Sequence, residues 1–204
     1  MEIKAITLGD MGTNCYLVSG KSGAVVIDPA VNSAEVTEFL KKNENKERLI
    51  LITHAHFDHI GGAKTLSEET DTKIGIGEFD NDGLSNPNKN LSQLFGVDLT
   101  HFSADILFKD GEKFSVGDLE FEVIYTSGHT EGGVCYLLND NLFSGDTLFY
   151  ESIGRTDFPT GDLRKLINSV HKLFELDGKI KVFSGHGPST DIDHEKQFNP
   201  YIRL

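Results

Sequence analysis

Apolar residues recur along this chain in two rhythms, period two in short runs and period three to four in longer ones. Residues 2–8, 14–19 and 23–28 read as short strands, separated by turns at Gly9, Gly12 and Gly20-Lys21-Ser22-Gly23. Residues 33–43 read as an amphipathic helix, with Asn32 or Ser33 at its N-cap and Val36, Phe39 and Leu40 as its apolar stripe. A buried strand over 48–53, a helix from about 58 to 69 and a strand near 73–76 follow. Residues 77–104 hold Asp82-Gly83 and Asn86-Pro87-Asn88 and predict a loop region over one end of the fold, with a short helix at 90–95. A second block predicts strands at 105–109, 112–116, 118–125, 132–138 and 141–145, with a hairpin turn at Val116-Gly117-Asp118-Leu119. A helix over 161–174 and a last strand over 179–184 complete the pattern. Strands alternating with helices in each half predict two sheets packed together with helices outside, as one domain over 1–204.

Composition narrows the function classes. Nineteen basic against 32 acidic residues give a formal charge of −13, which disfavours binding to nucleic acid or an anionic membrane surface. No uncharged apolar stretch approaches the ~20 residues of a membrane span, and Met1–Thr7 shows no secretory pattern, so the expected compartment is the cytoplasm. Cys15 and Cys135 are the only cysteines; both sit in strand-like apolar runs and are expected to be buried free thiols. The acidic side chains of Asp191, Asp193 and Glu195 are expected to be solvated.

The most informative chemistry follows the apolar run Arg48-Leu49-Ile50-Leu51-Ile52. There, His54-Ala55-His56-Phe57-Asp58-His59 sets four metal-capable side chains within six residues. At a strand end His54 and His56 point the same way, and Asp58 and His59 in a following helical turn reach a second point close by. One segment can therefore feed two adjacent metals. A lone His-x-His would more readily be a solvated loop; the added Asp58-His59 at a strand-to-turn junction favours metal binding. Three more strand ends repeat the logic among glycines: Gly128-His129-Thr130, Gly145-Asp146-Thr147 and Gly185-His186-Gly187. Each alone is as readily a polar turn; their recurrence makes the constellation.

These motifs, in this order, resemble the metallo-β-lactamase superfamily over nearly the whole chain, and Asn14-Cys15-Tyr16-Leu17-Val18 and Ile27-Asp28-Pro29 resemble its opening strands. The resemblance implies an αββα sandwich, two mixed sheets with helices on the outer faces, and a dinuclear metal site at one edge. It implies His54, His56 and His129 on one metal, Asp58, His59 and His186 on the other, and Asp146 bridging. Such a nitrogen and oxygen donor set suits two divalent ions, zinc first, with iron or manganese also accepted.

Within the superfamily the chain is most similar to the glyoxalase II-like hydroxyacylglutathione hydrolases, in a short bacterial branch marked by Gly154-Arg155-Thr156-Asp157-Phe158. Asp146, where a cysteine would be expected, and the missing secretory pattern weigh against the true β-lactamases. The implied activity is cleavage of S-2-hydroxyacyl glutathione or a related small thioester or ester by a hydroxide shared between the metals. Asp58 is assigned a second, catalytic role in orienting that hydroxide, although its ligand role alone would account for it. Arg155 is the candidate contact for an anionic substrate group, against a structural pairing with Asp157 or Asp162. Asp28 is expected to support the ligand loops from behind, against a plain turn role before Pro29. Tyr150 is a weaker candidate for the pocket wall, and His101, His171 and His194 lack ligand context. Glyoxalase II proteins continue into a glutathione-holding helical region, whereas this chain ends 18 residues after His186. The rival reading is a persulfide dioxygenase with one iron on two histidines and an aspartate; His186 in its Gly-His-Gly setting favours the hydrolase. Oligomeric state is open.

Overall fold

A computed structural model describes residues 1–203. Sheet one comprises β1 (Glu2–Leu8), β2 (Thr13–Ser19), β3 (Gly23–Ile27), β4 (Glu47–Ile52), β5 (Ile74–Gly77) and β6 (Ile106–Phe108) in sequential order. Its first two junctions are antiparallel and the other three parallel. Sheet two runs β14 (Thr190–Asp191), β13 (Lys181–Ser184), β10 (Asn141–Gly145), β9 (Val134–Leu138), β8 (Leu119–Tyr125) and β7 (Lys113–Val116). Only β10 with β13 is parallel there. A two-stranded ribbon, β11 (Leu148–Phe149) with β12 (Ser152–Ile153), follows β10.

Strand alternation decides the layers. Tyr16 and Val18 of β2 and Leu49 and Leu51 of β4 face Phe121 and Val123 of β8, Tyr136 of β9 and Phe143 of β10, forming the core between the sheets. The intervening Cys15, Leu17, Ile50 and Ile52 point outward and pack beneath α1 (Ala34–Lys42) and α3 (Ala63–Thr70). On the far side, Cys135, Leu142 and Val182 pack against Leu166, Val170 and Leu173 of α5 (Leu163–Leu173) and Ile192 of α6 (Ile192–Phe198). This is the expected αββα sandwich with two mixed sheets. Both cysteines are buried and free, and burial pushes both thiols up, Cys135 to about 11.

Three sequence expectations are revised. The helix expected over 58–69 is two pieces, α2 (Phe57–Ile60) and α3: at the break Gly62 N donates to Pro29 O instead of continuing the helical ladder, and Gly61 and Gly62 lie so close to the carbonyls of Ala30 and Val31 that any β-carbon would collide. Residues 77–104 are more ordered than a loop: beside the expected short helix, α4 (Ser92–Phe95), they contain a 3₁₀ helix (Glu78–Ser85), with Asp80 and Asn90 buried. Glu195 is not solvated. It is fully buried in α6 and accepts hydrogen bonds from the Glu151 amide, the Thr190 hydroxyl and the Asn199 side chain, tying α6 to the ribbon after β10. Asp191 caps α6 by accepting from the His194 amide. No described helix is long and apolar enough to cross a membrane.

Candidate metal centre

Four strands deliver the histidines and aspartates to one edge. β4 ends into His54–His59, β8 into His129, β10 into Asp146 and β13 into His186. The edge is closed by hydrogen bonds between the sheets: Val134 N donates to Thr53 O, Tyr136 Oη to Ile52 O, and Asn14 N to Gly185 O. Asn14 Nδ2 also donates to Ser184 O and Gly187 O, fixing the loop that carries His186. Two glycines allow the close approach. Gly145, in a left-handed conformation at φ 49°, lies against the Thr53 side chain. At Gly185 a β-carbon would collide with Asp146 Oδ1 and His59 Cε1.

All seven candidate ligands come together. His56 Nδ1 lies 3.1 Å from His54 Nε2 and 2.9 Å from His129 Nε2. His129 Nδ1 donates to Arg155 O at 2.7 Å, which turns Nε2 toward the other two histidines. Three nitrogens this close cannot all be satisfied by hydrogen bonds to one another; one cation satisfies them together. The second group is Asp58, His59 and His186, with donor atoms within 4.8 Å of one another. Asp146 lies between the groups: Oδ1 is 3.3 Å from His59 Nε2, and Oδ2 is 3.5 Å from His129 Nε2 and 3.6 Å from His186 Nε2. His59 Nε2 and Asp146 Oδ1 are buried without a hydrogen-bond partner among the described residues, which a bound ion would remedy. The residues fit two metals.

Electrostatics divide the site. Burial, reinforced by the neighbouring histidines, holds His54 well below the usual imidazole range, and burial with His129 beside it lowers His56 to about 3. For His59, burial opposes protonation, but Asp146, Asp58 and Asp28 outweigh it and the imidazole stands well above its ordinary value. Burial likewise opposes ionisation of Asp58, and His59 and His186 overcome it to hold the carboxyl at about 2.

Behind the ligands, Asp28 plays the supporting role rather than a plain turn role. Its Oδ2 accepts from His59 Nδ1 at 2.9 Å and from the Thr53 hydroxyl at 2.7 Å, while Oδ1 accepts from Thr53 N. It does so in a left-handed conformation at φ 52°, unusual for a non-glycine residue. Asp80 was not singled out from the sequence. It is 4% exposed and accepts from Ala55 N at 3.0 Å, the Thr130 hydroxyl at 2.8 Å and Gly132 N at 2.7 Å, so it clamps the His54-Ala55-His56 segment to the His129 loop. Its one sequence signal was an aspartate just past a short strand, which is too common to single it out.

The ligands open into a cleft of about 400 Å³ walled by Met11, Phe57, Leu91, Phe95, Phe149 and Phe158. Arg155 lines it too, but Nε and Nη2 each lie 2.7 Å from a carboxylate oxygen of Asp157, and the guanidinium stacks 3.9 Å over Phe158. Both partners of that pair are exposed, so it contributes little and can be exchanged. Tyr150 stacks on His194 instead of lining the cleft; His194 also bonds Glu151.

The sequence profile of the metallo-β-lactamase superfamily matches residues 8–186. The chain belongs to that superfamily. Hydroxyacylglutathione hydrolase GloC of Haemophilus influenzae is 31% identical over 99% of this chain and 98% of its own length. Among solved structures, the BLEG-1 B3 metallo-β-lactamase is 37% identical, with a TM-score of 0.90 over 100% of both chains. A protein solved in a di-iron-bound form is 31% identical, with a TM-score of 0.84 over 97% of this chain and 99% of its own. Family and site together make this chain a metal-dependent hydrolase.

Proposed function

We propose that this chain is a glyoxalase II-like thioesterase that hydrolyses S-2-hydroxyacyl glutathione or a related small thioester. The observation that carries the reading is the pair of three-residue donor groups with Asp146 between them. In it, His54, His56 and His129 would hold one metal and Asp58, His59 and His186 the other, with the Asp146 carboxylate placed between them. Zinc suits these nitrogen and oxygen donors, and iron or manganese is compatible with them. When bound, the metals supply Lewis acidity, lowering the pKa of water toward ~7 and polarising the carbonyl. Water adds to the thioester carbon, the C–S bond breaks, and a carboxylate, a thiol and a proton leave. Asp58 Oδ2, anchored by the Thr13 hydroxyl at 3.2 Å, orients the attacking oxygen by accepting its hydrogen. Arg155 exchanges Asp157 for a carboxylate on the thiol carrier. The aromatic wall shields the bound thioester from bulk solvent.

The similarity to BLEG-1, at 37% identity over the full length of both chains, supports a second reading in which a strained cyclic amide takes the thioester's place. One experiment separates the readings: turnover of S-D-lactoylglutathione and of a cephalosporin, with metals quantified in the same sample. Thioester turnover with two metals per chain is expected. Cephalosporin turnover alone would replace the thioesterase with a lactamase. No hydrolysis with a single iron per chain would move the assignment to a persulfide dioxygenase.

A further inference from the structure

The catalytic cleft does not end at the metal ligands. Met11, Phe57, Asp58 and Phe95 also wall a second groove of about 460 Å³, which continues past α2 along Val31, Val97 and Leu99. Phe57 and Phe95 pack with ring centroids 5.0 Å apart, and Phe95 meets Phe158 at 6.3 Å, so an aromatic surface leads from His56 into the groove without a break. Met11, Val31, Phe95 and Val97 are all exposed there, an apolar strip that water covers at a cost.

Charge says which arm of a thioester fits. Apart from Asp58, which faces the metal site, the charged residues lining the groove are Asp10 and Asp98, and no described lysine or arginine joins them. Arg155, the arginine that lines the adjoining cleft, lies outside this lining. Biological thiol carriers are anions, through the carboxylates of glutathione or the phosphates of a nucleotide carrier. Such a carrier meets only like charge in the groove, whereas an uncharged acyl chain meets apolar side chains.

We infer that this groove is an acyl-chain subsite, and that the enzyme prefers thioesters whose acyl group is uncharged and extends an apolar chain into it. The inference rests on the thioesterase reading and assigns its acyl half. The carrier then leaves on the Arg155 side.

The test uses glutathione thioesters of acetate, butyrate, hexanoate and octanoate with the metal-loaded enzyme. With one carrier throughout, the series reads the acyl arm alone. Burial of each methylene predicts that kcat/KM rises about two- to fourfold per added carbon up to hexanoyl or octanoyl. Val97→Asp, which adds a carboxylate to the exposed wall, is expected to lower the octanoyl-to-acetyl ratio at least tenfold. Acetylglutathione turnover with a flat or falling series would overturn the subsite and leave the thioesterase standing. A Val97→Asp ratio equal to the parent's would also overturn the subsite. No turnover of any thioester would overturn the thioesterase and the acyl assignment with it.

Discussion

Asp80 offers the sharpest check on how the first ligand group is held. Burial pushes its carboxyl above the usual range, against the pull of the Thr130 hydroxyl and the Ala55 and Gly132 amides. In Asp80→Ala those two amides lose their acceptor in a buried setting. At about 1–3 kcal/mol for each stranded donor, the variant should lose roughly 2–6 kcal/mol of stability. Asp80→Asn is the finer probe. Its carboxamide has one acceptor oxygen, so its NH₂ must face either Gly132 N or Ala55 N, donor against donor. One contact is lost and two can be kept, and the expected cost is about 1–3 kcal/mol. Because Ala55 lies between His54 and His56 and Thr130 follows His129, the Asn variant should also weaken metal affinity about 10–100-fold. That loss should fall on one of two binding events. Urea unfolding of metal-depleted protein reads the first quantity, and metal titration by calorimetry reads the second. An Asn variant within about 0.5 kcal/mol of the parent, binding two metals at parental affinity, would refute the clamp.

Other consequences follow from the same geometry. Asp146→Ala removes the carboxylate between the two groups and should abolish metal retention and activity together, as should His54→Ala; metal analysis after gel filtration beside the activity assay checks both. Gly185→Ala places a β-carbon against Asp146 Oδ1 and His59 Cε1, and should cost at least one of two metals while the far-ultraviolet circular dichroism stays parental. Arg155→Ala should raise KM for a carboxylate-bearing thioester about two- to tenfold with kcat little changed, because its contact is exposed; an equal fall in kcat and kcat/KM at constant KM would remove its binding role. In metal-depleted protein His59 keeps its proton above pH 6.5, since its carboxylate neighbours raise its value. Metal uptake at pH 7 should therefore release a proton and weaken as pH falls, which calorimetry in buffers of different ionisation enthalpy measures.

The outlines of this centre were legible in the sequence for a local reason. Each ligand motif lies at the end of an apolar run, and strand alternation with a following turn dictates where neighbouring side chains point. Asp28 could be proposed as a support because a ligand imidazole needs an acceptor on its far side. The splitting of the helix at Gly61-Gly62 was less readable: glycine is tolerated in a helix, and only the approach of Ala30 O and Val31 O makes it obligatory here. Glu195 read as a solvated acid because its partners, Glu151 N and Thr190 Oγ1, belong to the turn of the β11–β12 ribbon and to β14.

By itself, the sequence determined the strand and helix periodicities, the two-sheet architecture they predict, and the donor types at four strand ends. Those follow from interactions within a few residues, where spacing fixes direction. Only the tertiary structure decided that Asp80 joins Ala55 to Gly132, that Arg155 is held by Asp157 and not Asp162, and that the cleft runs on into an apolar groove. These depend on side chains brought together by packing of the sheets, loops and helices, where sequence separation carries no information about distance.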